Sequence, residues 1–224
     1  MLKSRTIIAT PAYRGEVVMQ YAHCLVRETF LAIAQGHYVD APYMVNDTYV
    51  HAARNRCLKE FLGTGADYLM FWDADMSCEQ GALARVLSLP ADMDIVGGLY
   101  PTKEDKPEYR FRAMPGIPVE FPMCRVEAIP TGFMRITRNA AERMMRAFGG
   151  RPFFHAVIDD LEHGEDILFC RRACLIGLMV HAIFDIEFGL HGPKEYRGRA
   201  MDHVIEGSLI PGVPTEQPRI ALIA

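Results

Sequence analysis

What the sequence lacks narrows its class before anything it contains is considered. No apolar run approaches the roughly 20 residues needed to cross a bilayer, and Met1-Leu2-Lys3-Ser4-Arg5 leads directly into strand-like Thr6-Ile7-Ile8-Ala9-Thr10 with no recognisable leader. A soluble cytoplasmic protein is the expectation. There is no excess of positive charge: the net charge of −4 gives no general attraction to nucleic acid or anionic lipid, although a local basic groove is compatible with it. Cysteines fall at 24, 57, 78, 124, 170 and 174, and none form Cys-x-x-Cys. Cys170 and Cys174 lie one helical turn apart, but no His or Cys follows at a matching second spacing, so buried free thiols are expected. Without a secretion signal, the even count is no evidence for disulfides. The loop Pro11-Ala12-Tyr13-Arg14-Gly15 lacks Gly-x-Gly-x-x-Gly, which argues against a dinucleotide-binding oxidoreductase or a methyltransferase. It is equally poor as the basic glycine-rich loop of a nucleotidyltransferase. Internal repeats and low-complexity tracts are absent.

What remains is an ordinary globular composition, half hydrophobic and less than a quarter charged, in 224 residues. That length suits one α/β domain with a sizeable core. Strands are expected at 6–10, 38–45 (edge-like, because of Pro42), 68–76, 94–100, 129–136 and 180–186. Helices are expected at 16–34, 49–62, 79–89, 137–147 and 165–176, with Gly36, Gly63, Pro90, Gly149 and Gly177 as stops. The first hundred residues alternate β-α-β-α-β-α-β, the pattern of a largely parallel sheet with right-handed crossovers. Residues 101–130 are rich in proline and carry Lys103, Lys106, Arg110 and Arg112. Tyr109, Phe111, Phe121 and Met123 give this segment something to bury, so it reads as a functional excursion. Residues 151–164 and the region from Gly189 onward read as loops.

The stretch that organises the chain is Tyr68-Leu69-Met70-Phe71-Trp72-Asp73-Ala74-Asp75-Met76. A run this apolar reads as a strand covered on both faces. It stops at two carboxylates one residue apart, and burying paired negative charge is costly unless something compensates it. Ligands in open α/β sheets bind beyond the carboxyl ends of strands. A divalent cation on oxygen ligands would neutralise Asp73 and Asp75. Asp75 alone has a second reading as the N-cap of the following helix. Two further polar clusters follow at expected strand ends and helix starts. One is Gly164-Glu165-Asp166, where acids also suit a helix N-terminus for dipole reasons. The other is His191-Gly192-Pro193-Lys194.

Taken in order, these pieces resemble the GT-A glycosyltransferases, family 2-like members in particular. The resemblance rests on Ala9-Thr10-Pro11-Ala12-Tyr13, Ala53-Arg54-Asn55, Phe71-Trp72-Asp73-Ala74-Asp75-Met76, Gly132-Phe133-Met134, Gly164-Glu165-Asp166-Ile167 and His191-Gly192. It implies a single GT-A-type (Rossmann-like) α/β domain over 1–224, with a mostly parallel central sheet flanked by helices. Residues 1–100 would form the nucleotide-sugar half, 101–200 the acceptor and catalytic half, and 201–224 a tail. The implied activity is inverting, metal-dependent transfer from a nucleotide-sugar, a UDP-sugar first, to an acceptor hydroxyl. The acceptor is left open among saccharides, proteins, lipid-linked glycans and modified DNA bases.

The resemblance also implies roles. Asp75 and His191 would ligate Mn²⁺ or Mg²⁺, manganese suiting the imidazole better, and Asp73 would reach the ribose or the metal through water. Pro11, Tyr13 and Asn46-Asp47 would border the nucleobase. Arg54 would approach the diphosphate, with a helix-surface ion pair as its alternative, and Lys194 and Arg197 would close over it. Gly97, Gly98 and Tyr100 would lie under the donor sugar or acceptor. Asp166 would be the general base, with Glu165 as the alternative. Nucleotidyl transfer on a related fold, or a non-catalytic sugar-nucleotide-binding module, are the competing implications.

Overall fold

The computed structural model describes residues 2–45, 47–106, 108–154, 156–158 and 161–205. Asn46 and the tail from 206 lie outside the described residues. The chain opens with β1 (Ser4–Pro11), α1 (Met19–Ala34), β2 (His37–Val45), α2 (Val50–Leu62) and β3 (Tyr68–Trp72). It continues through β4 (Met76–Cys78), α3 (Ala82–Leu87), β5 (Ile95–Gly98), β6 (Arg112–Ala113), β7 (Met123–Ala128) and β8 (Phe133–Thr137). Then come α4 (Arg138–Ala147), β9 (Ala156–Ile158), β10 (Leu161–His163), α5 (Glu165–Leu175), β11 (Val180–Ile183), β12 (Phe188–His191), β13 (Glu195–Gly198) and α6 (Ala200–Ile205).

β3 is buried along its whole length, and its alternating side chains feed two cores. Leu69 and Phe71 pack with Cys57, Leu58 and Phe61 of α2 and with α4 and α5. Tyr68, Met70 and Trp72 pack with Tyr21 and Cys24 of α1 and with Leu83 and Val86 of α3. Covering both faces removes the polar half of the period-2 pattern, which is why this strand reads as a continuous apolar run. Trp72 is locked by edge-on contacts with Tyr21 and Phe133, and its Nε1 donates to the Met76 carbonyl at 3.3 Å.

The main sheet has eight strands in the order β2-β1-β3-β8-β5-β11-β7-β6. β2 takes the edge position expected from Pro42. β1, β2 and β3 are parallel, and β11 is parallel to β5. β8 lies between β3 and β5 and runs antiparallel to both, pairing Trp72 with Phe133 and Gly97 with Met134. The sheet is therefore mixed, and β3 and β5 are not neighbours as the simple alternation predicts. The reason is long-range: β8, from the second half of the chain, takes the slot beside β3. β1, β2, β3, β5 and β11 still end at one edge, and β8 begins there.

Other expectations shift. Residues 68–76 form two elements, β3 and then β4, which pairs antiparallel with β12 in a second sheet, β13-β12-β4. Phe188–Gly198 is thus a hairpin, and β9 and β10, within 151–164, pair antiparallel. The helix expected from Glu79 starts only at Ala82, behind Gly81 at φ +86°. Its first turn is satisfied by fully buried Glu28 of α1, which accepts from Gly81 N at 3.0 Å and Leu83 N at 3.1 Å. That overturns the capping reading of Asp75. The α4 start is as expected: Thr137 caps it, accepting from Ala140 N at 3.1 Å. Cys170 and Cys174 are free thiols.

Arg135 was not foreseen. It sits fully buried in β8 and donates to four carbonyls, of Val86, Leu89, Pro90 and Met93, at 2.8–3.0 Å. It ties the α3–β5 connection to the central sheet and lies over the Tyr68 ring at 4.7 Å. Arg135→Met would leave four acceptors without their donor, and such groups cost about 1–3 kcal/mol apiece when left unmet in the interior. Urea unfolding should show a loss of at least about 3 kcal/mol. A loss under about 1 kcal/mol would mean that the carbonyls find other partners.

Candidate active site

The site forms where β3 ends. The Asp73 backbone N–H donates to the Gly132 carbonyl at 2.9 Å, and the Gly132 N–H donates to the Tyr100 hydroxyl at 3.0 Å. Gly132 has no room for a side chain: a Cβ there would come within 2.6 Å of the Tyr100 hydroxyl and 2.7 Å of Met76 Sδ. This turn fixes the first carboxylate at the head of β8. Burial pushes the Tyr100 phenol well above its ordinary range, and the Asp73 charge adds to that.

Asp73 faces Arg54 of α2, which comes within 3.2 and 3.5 Å of its two oxygens. The other terminal nitrogen of Arg54 donates to Glu165, the first residue of α5. Arg54 is only 4% exposed. Burial pulls its pKa down, but the Asp73 and Glu165 charges outweigh that and hold it above its ordinary value. Asp73 is held above the usual carboxylate range, because burial outweighs the Arg54 charge. Arg54 is therefore a buried bridge between two strand-end clusters and not a helix-surface ion pair. Its neighbours in α2 serve the same junction. Ala53 is buried in the core, and Asn55 exchanges two hydrogen bonds with the Phe153 backbone, at 2.7 and 2.9 Å, which anchors the approach to α5.

Asp166, beside Glu165, takes a different direction. It lines a cavity of about 390 Å³ together with Tyr100, Lys103, Glu104, Arg110 and Leu190. One of its oxygens accepts from Ile167 N at 2.7 Å. Gly164 makes room for this carboxylate, since a Cβ there would lie 2.7 Å from Asp166 Oδ1. Burial, then the neighbouring Glu165 charge, raises the Asp166 pKa above the usual carboxylate range.

Asp75 meets the third cluster through the β4–β12 pairing, where His191 N donates to the Asp75 carbonyl at 2.8 Å. The His191 ring is buried, with Nε2 2.8 Å from Ser77 Oγ and 3.9 Å from Glu195 Oε1. The Asp75 carboxylate accepts from Lys103 Nζ at 2.5 Å. Among the described residues, no three His, Cys, Asp or Glu side chains lie close enough together to hold a metal on their own.

Among the described residues, the remaining predicted ones do not line the cavity that Asp166 lines. Pro11 ends β1 beside Val45 of β2. Tyr13 opens a short turn, Tyr13–Gly15, and its side chain lies outside the described residues. Asp47 accepts from Tyr49 N at 3.3 Å and pairs with Arg56 at 3.2 Å. Lys194 pairs with Asp105 at 2.6 Å, and Arg197 with Glu187 at 3.0 Å, so neither is on the carboxylates of β3. Gly97 and Gly98 admit protein, not ligand. A Cβ at Gly97 would come within 2.7 Å of Ile129 Cδ1 and 2.8 Å of the Phe133 carbonyl, and at Gly98 it would strike the Phe188 ring. Lys103 at Asp75 was missed. Its only signal in the sequence was membership of the 101–130 segment.

No family model matches the chain, and no curated protein matches it by sequence. Solved structures do match in three dimensions. Protein A197 from STIV superimposes with a TM-score of 0.60 at 20% identity, over 88% of this chain and 91% of that one. A UDP-glucose pyrophosphorylase complexed with UDP-glucose gives a TM-score of 0.51 at 10% identity, over 92% and 97%. S. aureus TarS residues 1–349, in complex with UDP, gives 0.44 at 14% identity, over 81% and 58%. The first two establish a shared mixed α/β fold.

Replacing Arg54 tests the bridge. Arg54→Met strands two recessed carboxylates and should cost about 3–5 kcal/mol at pH 8. With its folded-state pKa raised, Asp73 favours folding fully only below its unfolded value near 4, and that contribution is lost as pH rises through the folded value. Loss of the Arg54 cation raises the folded value further, so the deficit should shrink between pH 8 and pH 5. A deficit independent of pH would mean that Arg54 acts through packing alone.

Proposed function

We propose that the protein is a metal-assisted glycosyltransferase of the GT-A type, moving a sugar from a nucleotide-sugar, a UDP-sugar first, to an acceptor hydroxyl. One observation carries this reading: three polar clusters distant in sequence converge at the carboxyl end of β3, and one of them presents Asp166 to a cavity also lined by Lys103, the partner of Asp75. Such a strand-end crevice is where open α/β sheets take nucleotides. The fold shared with a protein solved with UDP-glucose supports the donor class.

The residues suit a cation completed by substrate oxygens. Asp75 is partly exposed, with its carboxylate already on a cationic group, and His191 is beside it along the β4–β12 ladder. Magnesium and manganese are commonly held by one or two protein carboxylates plus phosphates. A metal bound there would offset charge on the departing nucleoside diphosphate. Asp73 suits a metal less well, because both its oxygens face Arg54.

The catalytic base in this reading is Asp166 and not Glu165. Glu165 is committed to Arg54, whereas Asp166 lines the cavity with one oxygen accepting from Ile167 N. It would take the proton of the acceptor hydroxyl during direct displacement, which inverts the anomeric carbon. The 101–110 loop forms the cavity wall, so the acceptor enters past Lys103, Glu104 and Arg110. Residues 1–100 then supply the donor half and 101–200 the acceptor half of one domain. The tight turn after β1 lacks a basic glycine-rich loop, which favours sugar transfer over nucleotidyl transfer on the same fold.

Asp166→Asn should cut transfer from UDP-glucose by about 10²–10⁴-fold while UDP binding stays within about threefold. A base must be ionised, so wild-type kcat/KM should fall as pH drops through a pKa above the ordinary carboxylate range. Full activity in Asp166→Asn would remove it from the chemistry.

A further inference from the structure

We propose that Lys103 is a built-in competitor for the cation position at Asp75, displaced when a divalent metal arrives and taken up by the donor diphosphate. The competition stands on geometry alone. The identity of the anion rests on the nucleotide-sugar reading above.

Lys103 reaches Asp75 from a braced turn. Thr102 N donates to the Glu108 carbonyl at 2.8 Å, Glu108 N donates to Thr102 Oγ1 at 3.1 Å, and Pro101 bridges Tyr109. The far side of the turn is tied to the β12–β13 connection by Lys194 and Asp105, 2.6 Å apart. The Lys103 stem runs over Gly192, where a Cβ would lie 3.4 Å from its Cδ. The absence of a side chain at 192 keeps that path open. The ammonium then sits 2.5 Å from Asp75 Oδ2, and the same side chain lines the cavity that Asp166 faces.

An ammonium and a divalent cation cannot share one carboxylate oxygen without strong repulsion. Metal at Asp75 therefore requires Lys103 to leave. The side chain is 39% accessible, so it can swing into water on its flexible stem. A diphosphate in the cavity would offer it a new anion. Metal and diphosphate would then each ease the entry of the other, a reciprocal coupling between two sites.

The test is a Mn²⁺ titration without nucleotide, followed by the free-ion electron paramagnetic resonance signal. Lys103→Met should bind Mn²⁺ about two- to fivefold more tightly than wild type, the size of one exposed ion pair. Lys103→Arg, which keeps the charge, should behave as wild type, and Asp75→Asn with Lys103→Met should lose the gain. Without metal, UDP should bind Lys103→Met more weakly than wild type. Equal Mn²⁺ affinity in wild type and Lys103→Met, no Mn²⁺ binding in either, or a gain that survives Asp75→Asn would overturn the proposal. If UDP binds no form of the protein, with or without Mn²⁺, the nucleotide-sugar reading fails, while the Mn²⁺ comparison still decides the competition.

Discussion

A strand buried on both faces that ends in a recessed carboxylate needs a cation there, and for Asp73 that cation is Arg54. It reaches Asp73 at the end of β3 and Glu165 at the start of α5 from a third element, α2. These elements lie more than a hundred residues apart at their extremes, so the bridge fixes tertiary structure as much as charge. Removing one carboxylate would leave the guanidinium on the other, whereas removing the guanidinium would strand both. The same bridge sorts the two adjacent acids of α5. Engaging Glu165 leaves Asp166 as the carboxylate that faces the cavity.

The second carboxylate is handled in the opposite way. Asp75 lies at the surface of the site and is neutralised by a lysine with a flexible stem from the 101–110 turn. A buried arginine and a partly exposed lysine suit different tasks: the rigid, buried fork holds a structure, while a flexible, solvated stem is the easier to exchange. One Asp-x-Asp motif thus joins an acid paired with a buried arginine to one paired with a partly exposed lysine, and the β4–β12 ladder brings His191 beside Asp75.

Much of this was legible in the sequence, in uneven measure. β1, α1, β2, α2 and β3 follow from local periodicity and stop signals, because each covers its own stretch of sheet. The place of β8 does not follow, since nothing local in Phe133–Thr137 says that it will run antiparallel between β3 and β5. The acids and His191 were legible because polar residues after apolar runs are conspicuous. Their cations were not. Arg54 on a helix looks like any surface arginine until the fold buries it, and Lys103 sits in a segment whose turn is set by long-range ties. Gly97 and Gly98 drew attention for the right property, close approach, but the approaching groups are Ile129, Phe133 and Phe188.

If the crevice beyond β3 breaks the bond between a sugar and a nucleoside diphosphate, ³¹P nuclear magnetic resonance of UDP-glucose incubated with the protein and Mg²⁺, with and without added pyrophosphate, will show it. Slow appearance of UDP, by transfer to water, is expected; it should not depend on pyrophosphate and should be abolished in Asp166→Asn. Formation of UTP only when pyrophosphate is present would instead assign the site to nucleotidyl transfer.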